Sequence, residues 1–584
     1  MRKMKNARIN RIFNTFEIIG GRTPRTKRFL KGALARNIAK IGRLFSYTSL
    51  KSYGVFMLSF GLATLLLNLT KYYVLENPVI APSSLIVGAV FAFIGIPLIF
   101  CDKPTCIALE DFWISDYILF EFFSIKRMNR IKNPPEIPLF FSIFLGAAPA
   151  AIGFLFPLKY VLFTFLALLI TALSFTSPEF PVMLTLVCLP YLGFFEYGEY
   201  LLAIISLLSF LGYFLRVLIG KRAYHLDFYG LAILLFGVIF TVGGVIGFGA
   251  DSQRNAWIYL AVLLGYYPVS GLVVNRRLTD TAIKAIVFST LPISLYTLTE
   301  HAIIFIKNGF SLDAFYGALG NEKGFLLCAY LIISAVFTLM FFFEKSNPVK
   351  RAFYITFFLV DVLALLSLFT CGALVALFGA LLLAFLSFKN AKIGYIMLPL
   401  VLLPYLIPLL PSAYLDAASS FLKLSPTVSE IKALLSENLS VGLSNILFGV
   451  GIGKDSYGAY LGTDGIRADN LFIGILSSVG VFALSVLLVI LAIKFIQSSA
   501  FSSYAKYSSV YVAANMSNAA LCALLLLGAF GNVFEYVELF YMFFVIFGIA
   551  SATLRIAKKE TDDRLNYYGD ARSSETSSID VNIA

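Results

Sequence analysis

The chain has 584 residues, 59% of them apolar and only 14% charged, with a mean hydropathy of +0.85. Soluble domains carry about 25% charge, so a water-soluble enzyme of this length is excluded. The formal charge is 46 − 33 = +13, and Met1 to Lys51 account for all of it, with 14 basic residues against the single acid Glu17.

That basic stretch is the first element in chain order. The rest of the chain balances at 46 − 14 = 32 basic against 33 − 1 = 32 acidic residues. An excess confined to one polar segment ahead of a hydrophobic chain reads as a cytoplasmic, membrane-facing extension over residues 1–52, not as a nucleic-acid surface. A cleaved signal peptide is not expected, because no short basic region leads directly into an apolar one.

Long apolar runs then recur, each near the length that crosses a bilayer as a helix. Sixteen candidate spans fall near 54–75, 81–100, 137–156, 159–176, 181–195, 200–219, 229–249, 256–274, 281–298, 324–343, 352–369, 372–388, 394–410, 470–495, 509–530 and 535–553. The stretch from 159 to 195 is crowded and would also fit fewer. The expected fold is an all-α polytopic membrane bundle of about 12–16 helices. Residues 53–410 form its main part and 470–553 its C-terminal helices.

With the N-terminus inside, alternate loops on the same side collect Lys126, Arg127, Lys221, Arg222, Arg276, Arg277, Lys350 and Arg351. This satisfies the positive-inside rule with loops that did not define the spans. Both termini are then expected in the cytoplasm, with the protein in the cytoplasmic (inner) membrane. The Ser- and acid-rich tail, residues 554–584, reads as unstructured.

Two outward segments exceed what a hairpin needs: Glu300 to Lys323, and the loop over residues 411–469. In the longer one, Thr427 and Glu430 have capping-box spacing, with Val428, Ile431, Leu434 and Leu435 on one face. Tyr414, Leu415, Ala418, Phe421 and Leu422 make a second stripe. Interfacial helices and plain packing helices fit both stripes equally.

The loop continues as Phe448-Gly449-Val450-Gly451-Ile452-Gly453-Lys454 and, after a polar stretch with Arg467, reaches Asp469-Asn470 and then Gly480. Alternate glycines would leave backbone N–H groups open to an anion, with Lys454 beside them. The bland reading is a turn at a helix end, and without the strand of a dinucleotide fold the glycines alone do not decide.

This string resembles the signature of the O-antigen ligase and polymerase family, bacterial membrane glycosyltransferases acting on lipid-pyrophosphate-linked glycans. The resemblance is dense over about residues 445–490. Upstream, Gly317-Ala-Leu-Gly320-Asn321-Glu-Lys323 is similar to the family's Gly/Asn-rich entry, and Thr370-Cys371-Gly372-Ala to its Ser-Arg-Gly-Ala element. The resemblance implies an outer-face enzyme that ligates or polymerises glycan from an undecaprenyl-pyrophosphate donor, for cell-surface polysaccharide synthesis. Its partners would be the lipid-linked donor, a glycan or lipid acceptor, the membrane and polysaccharide-assembly proteins, with no nucleic acid.

Two family positions differ. Asp469 stands where the family has histidine, and Cys371 where it has arginine; no arginine occurs between Arg277 and Arg351. A diphosphate is already a good leaving group, so the chemistry asks for cations near it and a base near the acceptor hydroxyl. Arg467 and Lys454 are assigned to the pyrophosphate and Asp469 to the base. Gly449, Gly451, Gly453, Asn470, Asn321, Lys323 and Arg254 are the further candidate binding residues. An Arg467–Asp469 pair in a solvated loop is the plain alternative.

Elsewhere, Asp361 lies within a span, where an ionisable group is costly and marks either function or bundle glue. His301 faces outward, and Lys71 near a span end snorkels. Six cysteines without a CxxC pair indicate no disulfide framework, and no acidic pair has metal-ligand spacing, so no cofactor or metal is expected. The rival functions are a polysaccharide or lipid-linked oligosaccharide transporter (flippase), which predicts internal repeats, and a catalytically degenerate scaffold.

Overall fold

The computed structural model describes residues 16–19, 40, 44–74, 82–123, 125, 127, 136–155, 158–218, 223–308, 321–343, 347–368, 371–389, 394–405, 438–453, 456, 460, 470–505 and 508–580. It is an all-α polytopic membrane bundle. Seven described helices are long and apolar enough to cross a membrane, and shorter apolar helices accompany them. One two-stranded ribbon, Phe16–Ile19 with Ala223–Leu226, is the only sheet among the described residues.

The chain divides into two compact units, one of residues 19–181 and 211–222, the other of 1–18, 182–210 and 223–584. Residues 53–410 are shared between the two units. The smaller unit holds α1 (Leu50–Val74), α2 (Pro82–Ile99), α3 (Leu139–Leu155) and α4 (Leu158–Thr176).

Small residues set its packing. A Cβ on Gly61 would lie 2.5 Å from the Gly88 carbonyl oxygen and 2.6 Å from Ala92 N, and one on Gly95 2.7 Å from Leu58 N. In hydrocarbon the apolar effect gives no drive between helices, so backbone approach at such positions supplies the contact. Gly61→Leu is expected to force α1 from α2 and to destabilise the protein by about 1–3 kcal/mol or more. A thermal melt in detergent reads this, and an unchanged melting temperature contradicts it.

In the same unit, Thr105–Asp111 is α-helical and Asp116–Phe122 π-helical, in the stretch between the candidate spans at 81–100 and 137–156. Phe112, Trp113 and Tyr117 are exposed on this stretch. Such aromatic groups suit the headgroup level of a bilayer.

The larger unit carries α5 (Glu179–Leu192) and α6 (Gly198–Leu218), within which the division falls, then α7 (Phe228–Ile246), α8 (Ala250–Leu263) and α9 (Tyr266–Leu272). It continues with α10 (Arg276–Asn308), α11 (Asn321–Phe343), α12 (Pro348–Ser367), α13 (Cys371–Lys389) and α14 (Gly394–Leu402). Last come α15 (Leu471–Ala505), α16 (Tyr511–Leu527) and α17 (Val537–Asp580). Helix α16 is buried from Ala513 to Leu527 and α17 throughout its apolar part. A helix apolar all round belongs at a centre, and these two lie there, packed on each other, with α16 also against α11.

Three expectations change. The span at 256–274 is two helices, broken at Leu264–Gly265, where a Cβ would meet Tyr541 at 2.5 Å and Ser206 Oγ at 2.7 Å. The span at 281–298 runs on to Asn308, since no Gly or Pro stops it between Pro292 and Gly309, so the outward segment begins later than Glu300. The tail expected without structure continues α17 to Asp580. Its acids and bases recur at helical spacing, as Lys558 with Asp562 and Lys559 with Asp563. The basic segment before Lys40, apart from residues 16–19, and both stripes of the long loop lie outside the described residues.

Candidate active site

The glycine run meets a broken helix. Inside α15, Gly480 has φ 85° and ψ 178°, which no helix contains. The break removes the partners of Ser477 O and Ser478 O and of Val481 N, and in hydrocarbon these groups need replacements. The run supplies all three. Val450 N donates to Ser477 O at 2.8 Å, Gly451 N to Ser478 O at 2.9 Å, and Ile446 O accepts from Val481 N at 2.8 Å.

The other side of the run is held as firmly. Phe248 N donates to Val450 O at 2.8 Å, and Ile452 N donates to Ser252 Oγ at 2.9 Å. Gly449 N turns back to Asn445 O. The amides of Gly449, Val450, Gly451 and Ile452 are thus occupied internally, which corrects the expectation that this stretch leaves them open to an anion. The glycines are needed for approach. Gly449 has φ +68° and a Cβ there would lie 2.3 Å from Ser478 C, while a Cβ on Gly480 would lie 2.2 Å from Leu447 O.

Pinned between the α7–α8 corner and the broken α15, the run closes one wall of a cavity of about 110 Å³. Ile452, Gly453, Gly474 and Ser478 line that side, with Asn255 and Tyr259 of α8 and Glu199 of α6. Asn532, Phe534 and Glu535, in the turn before α17, complete it together with Phe240. Asn255 Nδ2 donates to Ile452 O at 3.3 Å, which ties α8 to the run. Tyr259 Oη lies 2.8 Å from Phe534 O and 2.9 Å from Glu535 O, fixing the turn that carries Glu535. Asn532 caps that turn by accepting from Phe534 N at 3.1 Å. Its Nδ2 lies where a Cβ on Gly474 would be, 2.3 Å away.

The lining therefore combines two carboxylates, two carboxamides, a serine and three aromatic rings, with no basic side chain among the lining residues. Carboxylates and carboxamides bind hydroxyl groups, and rings cover apolar faces. An anion would be repelled by Glu199 and Glu535. Near the run, Tyr460 packs its ring 5.2 Å from Phe248, and hydrogen bonds with Ser444 and Asn445 pull its phenol below the usual range.

Of the candidates read from sequence, Gly453 lines the cavity, and Gly449 and Gly451 build its wall. Asn470 is buried and accepts from Phe472 N at 3.1 Å and Ile473 N at 3.3 Å, capping α15. Arg254 pairs with Asp251 at 3.0 Å, both partly exposed, one residue from Asn255. Asn321 and Lys323 open α11, and Cys371 opens α13, but their side chains lie outside the described residues, as do Lys454, Arg467 and Asp469. Sequence reasoning missed Glu199, Asn255, Asn532 and Glu535. The available signal was Asn532, a strong helix-capping residue beside Gly531 and just before an acid-led helix. No family model and no curated protein matches this chain.

Proposed function

We propose that the protein is a membrane glycosyltransferase that moves or polymerises glycan from a lipid-pyrophosphate donor at the outer face of the cytoplasmic membrane. The observation that carries this reading is the cavity, which presents hydroxyl-binding groups and two carboxylates and is walled by the glycine run that resembles the O-antigen ligase family. The acceptor sugar fits such a lining; the pyrophosphate does not. Lys454 and Arg467, with Arg254 at the edge of α8, would hold the diphosphate outside, with Asp469 in the same loop orienting the acceptor and the base role passing from it to a carboxylate of the cavity. The acceptor oxygen attacks the anomeric carbon, the bond to the phosphate oxygen breaks, a carboxylate takes the hydroxyl proton, and the lipid pyrophosphate leaves.

Surface polysaccharide of the host tests it, after deletion of the gene and complementation with Arg467→Ala and Asp469→Ala. Both variants are expected to lose polymer while reaching the membrane at normal level. Normal polymer in both sinks the assignment of these two residues.

A further inference from the structure

Asp361 is 1% exposed in the middle of α12, at the interface with α10 and α11. Its Oδ1 lies 2.6 Å from Ser294 Oγ of α10, and Ser334 of α11 faces the same carboxyl. Its Oδ2 has no hydrogen-bond partner among the described residues, and neither has Ser334 Oγ. An ionised carboxylate accepts about four hydrogen bonds, and this one meets only two hydroxyls, Ser294 bonded to it and Ser334 facing it.

The ionisable groups of the neighbouring helices stand off. On α10 the nearest in sequence to Ser294 are Tyr296, which is exposed, then Glu300 and His301, two turns on, with Lys284 on the other side. His301 Nδ1 lies 2.9 Å from Ser367 Oγ, a separate pair farther along the same α10–α12 seam. Among its described side chains helix α11 offers Cys328 and Tyr330, each at least a turn before Ser334, with Tyr330 Oη donating to Leu189 O. On α12 itself Lys350, Arg351 and Tyr354 lie nearly two turns or more before Asp361. Helix α13 has no ionisable side chain among its described ones. No described cation pairs with the carboxyl.

The hydrogen count fits one state. Ser294 has one hydroxyl hydrogen and two oxygen neighbours, Asp361 Oδ1 at 2.6 Å and Thr290 O at 3.2 Å. If Oδ1 carries a proton, it donates to Ser294 Oγ, and Ser294 donates on to Thr290 O, so both contacts are hydrogen bonds. If Asp361 is ionised, one of them is lost and a bare charge stays in hydrocarbon. We propose that the α10–α11–α12 interface contains a proton-binding site at Asp361, whose bound proton joins α10 to α12 and whose release loosens them.

The site is independent of the glycan-transfer reading, and it is tested without any glycan. Infrared difference spectra of wild type and Asp361→Asn in lipid, at near-neutral pH, should show a protonated-carboxyl carbonyl band in wild type that the variant lacks. Ser294→Ala, a milder change, should keep the band and shift it. The melting temperature of wild type should fall as pH rises, because the proton's contribution is present at low pH and is lost on deprotonation. Asp361→Asn, permanently uncharged, should lose that part of the slope. Identical carbonyl spectra in wild type and Asp361→Asn would overturn the proposal. So would a sodium-dependent rise in wild-type melting temperature that the variant loses, since that marks a cation site.

Discussion

Gly480→Ala is expected to abolish most folded protein. At φ 85° and ψ 178° the backbone is in a region open essentially to glycine alone, which costs about 1–3 kcal/mol for any other residue. Contact adds to strain, because the new methyl would sit 2.2 Å from Leu447 O and 2.7 Å from Phe448 N. Those atoms cannot retreat, since the neighbouring Ile446 O holds Val481 N and Val450 N holds Ser477 O. Parting the run from α15 would leave three backbone groups of α15 alone unpaired in the membrane, each at about 1–3 kcal/mol. The sum approaches the whole stability of a typical domain. Gly324→Ala is the control, at a helical glycine with nothing within 4 Å of the added Cβ. Yield and melting temperature in detergent should be near wild type for the control and collapse for Gly480→Ala. Equal melts would mean that the break in α15 is not fixed by the run.

Glu535→Gln and Glu199→Gln are expected to cut glycan transfer unequally. One of the two carboxylates takes the acceptor proton, and its loss costs about 10²–10⁴-fold in kcat. The other orients hydroxyl groups, and its amide, which keeps one acceptor oxygen, should mainly raise KM. Neither change removes packing, so melting temperatures should hold. Glu535 is the better placed for the base, because Tyr259 anchors its turn through two carbonyls and Asn532 caps it. Wild-type kcat and KM in both variants would remove the cavity from the reaction.

What the sequence conveys follows from the solvent. Lipid demands apolar runs of a minimum length, so most helices of both units were legible as runs. It is silent on where a helix breaks without a polar residue, as at Gly265, and on where a charged turn continues a helix, as at Glu300. The glycine run was legible as a motif, but its work was not. Gly449 and Gly451 read as an anion cradle until Gly480 is seen to break α15 and leave Ser477 O and Ser478 O to be satisfied. The cavity's polar residues were hidden for another reason: Glu199 and Asn255 come from two helices and Glu535 from the turn before α17, far apart in sequence, and no spacing rule joins them.

Glycan transfer is read most directly with the purified protein in lipid discs, given a labelled lipid-pyrophosphate glycan and an unlabelled glycan acceptor. Labelled glycan joined to the acceptor and free lipid pyrophosphate in equal amount are expected, both lost with Arg467→Ala. Intact donor, together with its movement across the bilayer when the protein is placed in sealed vesicles, would contradict glycan transfer and mark the protein as a transporter.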